Sequence, residues 1–183
     1  MNFVSRAGQK LDHALTVFCI SVDGLICADL GCSTGGFTDC LLRRGAAKVY
    51  SVDTGYGVID WKLRNDPRVV VMERTNAMHV ALPERVPLIT IDVSWTRQQN
   101  ILPHTRDLLA PGGSIITLIK PHYEASPKLL RKGKLPADQL PIVEAETIER
   151  IRVLGFNVLA TTPSPIRGTG GNAELLAWLR EPG

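Results

Sequence analysis

Four ionisable residues sit at or next to the ends of short apolar runs: Asp29 in "GLICADLG", Asp53 after "KVYSV", Asp92 after "VPLITI" and Lys120 after "SIITLI". Charges in such places are rare unless they are paired or at work. The first lies in a glycine-rich stretch, "ADLGCSTGGFTDCLL" at residues 28–42, with Asp29 two positions ahead of Gly31 and Gly35-Gly36 directly before a helix-like segment. The order Gly31-Cys32-Ser33-Thr34-Gly35-Gly36 lacks the middle glycine of G-x-G-x-x-G, which lets a backbone approach a pyrophosphate. A carboxylate so close ahead also repels phosphate. Asp29 suits a cation instead, such as the amino group of an amino-acid moiety, and Asp53 suits a ribose diol. An ammonium and a ribose without a phosphate describe S-adenosylmethionine; the plain alternative is that these glycines only make a tight strand-to-helix turn.

The elements that must position these groups follow from hydrophobic periodicity. Leu11, Ala14, Leu15 and Phe18 predict a helix over 7–20. Strands are expected at "GLICADLG", "KVYSVD", "RVVVMER", "VPLITIDVS" and "SIITLIK". Between them come helices at "GFTDCLLRRGA", "VIDWKLRND" and residues 97–109, with "APGG" as a turn. A polar loop follows Lys120, then a helix over 140–154, then strands "FNVLATTP" and "AELLAWLR" joined by the loop "SPIRGTGGN". This alternation predicts an α/β fold, a mostly parallel sheet with helices on both faces and an antiparallel C-terminal strand. Ligands of such sheets sit beyond the carboxyl ends of the strands, where strand order reverses. Asp29, Asp53, Asp92 and Lys120 are therefore expected around one crevice.

Length and composition narrow the partners. The chain of 183 residues suits one domain over 1–183, and its 44% hydrophobic and 21% charged content excludes disorder. Net charge is only +3, but "PHYEASPKLLRKGK" at 121–134 carries four basic residues and one acid, a patch compatible with a polyanion as well as with a plain solvated loop. Cys19 and Cys27 read as small core residues. Cys32 and Cys40 have no histidine nearby, and the four histidines form neither a metal nor a triad pattern, so no metal is expected. With no signal-like segment and no run of 18 apolar residues, a cytoplasmic protein away from membranes is expected.

Seven strings, "VSRAGQKL", "DLGCSTGGFTDCLLRRGA", "VDTGYG", "RVVVMERTNA", "IDVSW", "LIKPHYE" and "SPIRGTGGNAELL", occur in order along nearly the whole chain. Together they resemble the methyltransferase domain of the TlyA-type haemolysin/ribosomal RNA methyltransferases, a branch of the FtsJ-like 2′-O-methyltransferases. The resemblance implies a Rossmann-like class I fold, S-adenosylmethionine as cofactor, and methyl transfer to a ribose hydroxyl of ribosomal RNA. It also implies a Lys-Asp-Lys-Glu catalytic tetrad, which falls on Lys10, Asp92, Lys120 and Glu174. The cofactor site would then comprise Asp29, Gly31, Cys32, Ser33, Thr34, Gly35, Gly36, Phe37, Asp53 and Asp92, with Thr75 and Asn76 on the adenine side. This chain departs from the family at Trp95, where phenylalanine is usual, and at His122-Tyr123, where Gln-Phe is usual; these are outer substrate positions. Family members typically carry a small RNA-binding domain ahead of the "VSR" segment, so RNA targeting is expected to draw on something beyond residues 1–183.

A ribose hydroxyl is a weak acid and a methyl sulfonium a good electrophile, so positioning supplies much of the rate. Within the tetrad, Lys120 is expected to bind the 2′-oxygen and either take its proton or stabilise the developing charge. Lys10 is the second ammonium, and Asp92 and Glu174 hold the lysines. No Asp-Pro-Pro-Tyr motif follows the fourth strand, which argues against methylation of base amino groups, and no Pro-Cys pair, which argues against attack at a pyrimidine carbon. The competing readings are a small-molecule O-methyltransferase, a non-catalytic RNA-binding protein and a membrane-acting haemolysin; no strongly amphipathic basic helix supports the last.

Overall fold

The structure is a computed structural model that describes residues 2–168 and 170–181. Seven strands form one sheet: β1 (Ile26–Leu30), β2 (Lys48–Val52), β3 (Val69–Met72), β4 (Val86–Ile91), β5 (Leu109–Ile119), β6 (Asn157–Pro163) and β7 (Leu175–Arg180). Their order is β3-β2-β1-β4-β5-β7-β6. The first five pair in parallel, and β7 runs antiparallel to both β5 and β6. The expected α/β architecture is thus observed, and strand order reverses between β1 and β4, where a ligand crevice belongs.

The central strands are buried on both faces, while the edge strands β3 and β6 are only partly covered, and strand alternation divides the core in two. On one face Cys27, Leu88, Ile116 and Leu176 pack with Leu11, Leu15, Phe37 and Leu41 from α1 (Ala7–Val17) and α2 (Gly36–Arg43). On the other face Ala28, Ile89, Ile115 and Leu179 pack with Ile101, Leu102 and Ile151 from α4 (Gln98–Thr105) and α6 (Leu140–Val153). A short α3 (Trp61–Arg64), capped by the Asp60 carboxylate accepting from the Lys62 amide, lies between β2 and β3. The sheet is therefore a wall between two dry layers, and polar groups gather at the carboxyl ends of its strands.

Several boundaries differ from the periodicity reading for identifiable reasons. The opening helix stops at Val17, not 20, because Cys19 takes φ +54° and the Ile20 amide turns back to the Leu15 carbonyl. That left-handed closure turns Cys19 outward, so it is exposed and not a core residue. The helix expected over 97–109 ends at Thr105. Leu109-Ala110-Pro111-Gly112-Gly113 is no free turn but the first part of β5, with a register shift against β4 and Gly112 at φ +73°. The segment after Lys120 holds α5 (Pro121–Glu124) and a 3-10 turn (Pro127–Leu129), too short to leave a periodic signal.

Candidate active site

Two cavities of about 290 Å³ each open at the carboxyl ends of the strands, and Gly31, Ser33, Asp92 and Ser94 line both. Their shared wall is the loop between β1 and α2. It is pinned at its start, where the amides of Gly31 and Cys32 both donate to the Val52 carbonyl at the end of β2. Gly31 has φ +86°, and a Cβ there would stand 2.7 Å from the Asp92 carbonyl oxygen, so the approach of this loop to the end of β4 requires glycine.

The second cavity is walled by Asp53, Thr75 and Asn76. Asp53 is clamped by backbone donors, the Ser33 amide to Oδ2 at 2.8 Å and the Gly55 amide to Oδ1 at 2.7 Å. Each carboxylate oxygen keeps acceptor capacity for a diol. Thr75 and Asn76 stand in the same wall, beside Ala77, Met78 and Trp95. Asn76 is held by its own turn, accepting the Met78 amide at 2.9 Å. Trp95 takes φ +56° and is 84% exposed at the rim.

The first cavity holds two ion pairs. Lys10 Nζ meets Glu174 Oε2 at 2.5 Å, across 164 residues of sequence, with both side chains almost fully buried. Lys120 Nζ meets Asp92 Oδ1 at 2.6 Å and donates to the Val93 carbonyl at 3.0 Å. All four residues line this cavity, with Cys32, Thr34 and Phe37. Each residue reaches it from a different element: Lys10 from α1, Asp92 and Lys120 from just beyond β4 and β5, and Glu174 from just before β7. Removing one member of such a pair leaves a buried charge alone, which costs far more than the pair itself contributes.

Not every expected residue reaches the cavities. Asp29 is fully buried and lines neither. It still belongs to β1, in register with Ser51 and Thr90 on the neighbouring strands, and alternation turns it under α2. There it accepts from Thr38 Oγ1 at 2.7 Å and Thr90 Oγ1 at 3.1 Å, while Thr38 also bonds Ser51. Burial pushes its carboxyl up to about 7, against the pull of the Thr38 and Thr90 hydroxyls. The expectation that Asp29 stands in the ligand crevice is corrected: it lies beneath the loop, outside both cavity walls. Gly35 and Gly36 also stay off the cavity walls, Gly35 turning the chain at φ +98° into α2.

Other lining residues escaped the sequence reading. Ser5 and Arg6, just before α1, and Ser94, two residues past Asp92, carry no charge pattern or spacing that marks them. His122 and Tyr123 line the first cavity from α5, their rings 4.1 Å apart. Burial, and then the Lys120 charge, hold the His122 imidazole below its ordinary range. Its Nδ1 is the one buried side-chain nitrogen or oxygen without a hydrogen-bond partner among the described residues. Among those residues no group of three metal-ligating side chains occurs, and no helix is long and apolar enough to cross a membrane.

The doubly wound sheet, with a paired Lys/Asp/Lys/Glu cluster and two cavities at the carboxyl ends of its strands, has the architecture of a Rossmann-like methyltransferase. Residues 3–181 match the FtsJ-like methyltransferase model, and the chain belongs to that family. It is 42% identical to the candidate rRNA methyltransferase YqxC of Bacillus subtilis, over 100% of this chain and 67% of that protein. It is 40% identical to the 16S/23S rRNA (cytidine-2′-O)-methyltransferase TlyA of Mycobacterium tuberculosis, over 97% of this chain and 68% of that protein. A solved candidate haemolysin of Streptococcus thermophilus superposes with a TM-score of 0.92 at 37% identity, covering 99% of this chain and 68% of its own. The chain thus spans about two thirds of the length of these relatives.

Proposed function

We propose that this protein transfers the methyl group of S-adenosylmethionine to a ribose 2′-hydroxyl of ribosomal RNA, with residues 3–181 acting as one catalytic domain. The observation that carries the reading is the cavity where Lys10–Glu174 and Lys120–Asp92 close side by side against the loop after β1. The cofactor, when bound, supplies an electrophilic methyl group and needs no further activation. The residues present fit it. Asp53 would offer a fixed carboxylate for the ribose hydroxyls, Thr75 and Asn76 would line the adenine end, and Gly31 and Ser33 would stand in the wall shared with the acceptor cavity, which Cys32, Thr34 and Phe37 also line.

The lysines do the remaining work. An ammonium has three donors. Lys120 pairs with Asp92 at 2.6 Å and donates to the Val93 carbonyl at 3.0 Å, which leaves it donor capacity for the acceptor oxygen. As an ammonium Lys120 would hold the 2′-oxygen in line with the methyl carbon and stabilise the negative charge that develops as the O–C bond forms and the C–S bond breaks; only as a neutral amine, with a free lone pair, would it take the hydroxyl proton itself. Lys10, locked by Glu174, supports the same oxygen with a second positive charge. Base amines need a different acceptor site, and the Lys/Asp/Lys/Glu cluster favours oxygen.

The deciding experiment incubates the protein with radiolabelled S-adenosylmethionine and separated ribosomal subunits, then maps any 2′-O-methyl group. Label confined to one ribose of ribosomal RNA is the expected result. Label that enters small metabolites and never RNA overturns the reading in favour of a small-molecule O-methyltransferase.

A further inference from the structure

Most arginines on the body of the protein lie beside a carboxylate: Arg43, Arg44, Arg64, Arg68, Arg106 and Arg150 each close an ion pair. Among the described residues Lys62, Arg74, Arg85, Arg97 and Arg180 stand outside this pattern singly, and one cluster of basic residues stands outside it together. Lys128, Arg131, Lys132, Lys134 and Arg167 have no carboxylate within ion-pair distance among the described residues. Asp138 is close enough to Arg131 to feel its charge, yet these loops keep an excess of positive charge that repels itself, a cost that a polyanion removes.

These loops are built together. Arg131 and Lys134 close a tight turn through mutual backbone bonds of 2.8 and 3.0 Å. Buried Asn172 latches that turn to the glycine-rich loop before β7, donating Nδ2 to the Gly133 carbonyl and accepting the Leu135 amide at Oδ1, both at 3.3 Å. The Lys134 ammonium lies against Gly171, 3.5 Å from where a Cβ would stand. Arg167 donates to the Gly171 carbonyl at 3.1 Å and, with Arg6, Gln9, Ile166 and the backbone of Gly168, Gly170 and Gly171, lines an open hollow of about 600 Å³, with no acidic side chain among the described residues of its wall. The hollow adjoins the catalytic cavity: Arg6 lines both, and Gly168 packs so closely on the Glu174 carboxylate that any side chain there would collide with it.

We infer that this hollow and the basic turn form a phosphate-binding site for the RNA strand flanking the acceptor ribose, with Asn172 as the positioning residue that holds the turn beside the Lys10–Glu174 pair. The inference rests on the RNA reading above and adds where the strand runs: past Glu174 along the glycine-rich loop, away from the nucleoside cavity.

The test compares wild type with Lys134→Gln, Arg167→Gln, the double variant, Asn172→Ala and, as a control on the exposed α6, Arg152→Gln. Filter binding of a ribosomal RNA fragment and KM for that RNA are measured across a KCl series, with calorimetric Kd for S-adenosylmethionine alongside. Lys134→Gln and Arg167→Gln are each expected to raise KM for RNA roughly three- to tenfold near about 0.1 M salt and to flatten the log–log salt slope by about 0.7–0.9 per lost contact. Cofactor Kd and kcat should stay within about twofold, and Arg152→Gln should leave all of these unchanged. Asn172→Ala is expected to reproduce the double variant's slope; a raised KM with the wild-type slope would refute the latch. Wild-type KM and slope in both charge variants, or an equal change in Arg152→Gln, overturn the site. Wild-type protein that neither binds RNA in a salt-dependent way nor methylates it overturns the underlying reading, and that outcome is visible before any variant is made.

Discussion

Lys120 faces the sharpest demand of any single residue. Its ammonium is fixed on two sides, by Asp92 and by the Val93 carbonyl, so in the proposed role a substrate oxygen would meet a donor whose direction is set in advance. Truncation in Lys120→Ala should lower kcat by about 10²–10⁴-fold, the usual range for a positioned proton-transfer group. Calorimetry should show cofactor binding near wild type, because Asp53 and the loop after β1 are untouched; intact turnover with bound cofactor would remove Lys120 from the mechanism. Asp29 makes a different prediction. Its folded pKa near 7 lies above the ordinary carboxyl range, so between about pH 4 and 7 the folded state binds more protons than the unfolded. Its contribution to stability is therefore complete at low pH and is lost as pH rises through about 7. Urea denaturation of Asp29→Asn should lose this component of the pH dependence while keeping partners for Thr38 and Thr90. An unchanged stability–pH curve would show that Asp29 is charged throughout.

At the scale of elements, the loop after β1 matters more for its backbone than for its side chains. Gly31→Ala adds a methyl group at φ +86°, 2.7 Å from the Asp92 carbonyl oxygen, and forces β1 and β4 apart at the point where both cavities meet. Cofactor Kd measured by calorimetry should rise by about tenfold or more, with a stability loss on the order of 1–3 kcal/mol. A variant with wild-type Kd would mean the loop can shift without consequence. The helix α1 acts at longer range. Leu11, fully buried under the sheet, fixes the helix that delivers Lys10 to Glu174. Leu11→Ala should cost about 2–5 kcal/mol in chemical denaturation, and at temperatures where it remains folded its kcat should fall more than its affinity for cofactor. These elements were readable in outline because buried parallel strands and amphipathic helices have distinct periods. Their ends were less so: Cys19 and Gly112 use left-handed backbone, which local apolar pattern does not signal.

At the scale of the molecule, the two core layers leave one thiol at the surface. Cys19 is exposed, while burial pushes the thiols of Cys27 and Cys40 up to about 12 and raises that of Cys32 as well. A thiol reagent at neutral pH should therefore label one cysteine quickly in the native protein and all four after unfolding; rapid labelling of Cys27 or Cys40 would contradict the packing. The sequence by itself determined the alternation of strands and helices, the glycine loop, and the convergence of Asp53, Asp92 and Lys120, because each depends on local period and on the rule that parallel strands end on one edge. Resemblance of its motifs to the FtsJ-like family pointed to the tetrad. Only the tertiary structure decided that Lys10 and Glu174, 164 residues apart, close one pair, and that β7 lies between β5 and β6. It also decided that Asp29 turns inward under α2 and that Asn172 joins the basic turn to the glycine-rich loop. The physical reason is common to these cases. They depend on strand register and on contacts between distant segments, which follow from how the layers pack and not from the spacing of residues along the chain.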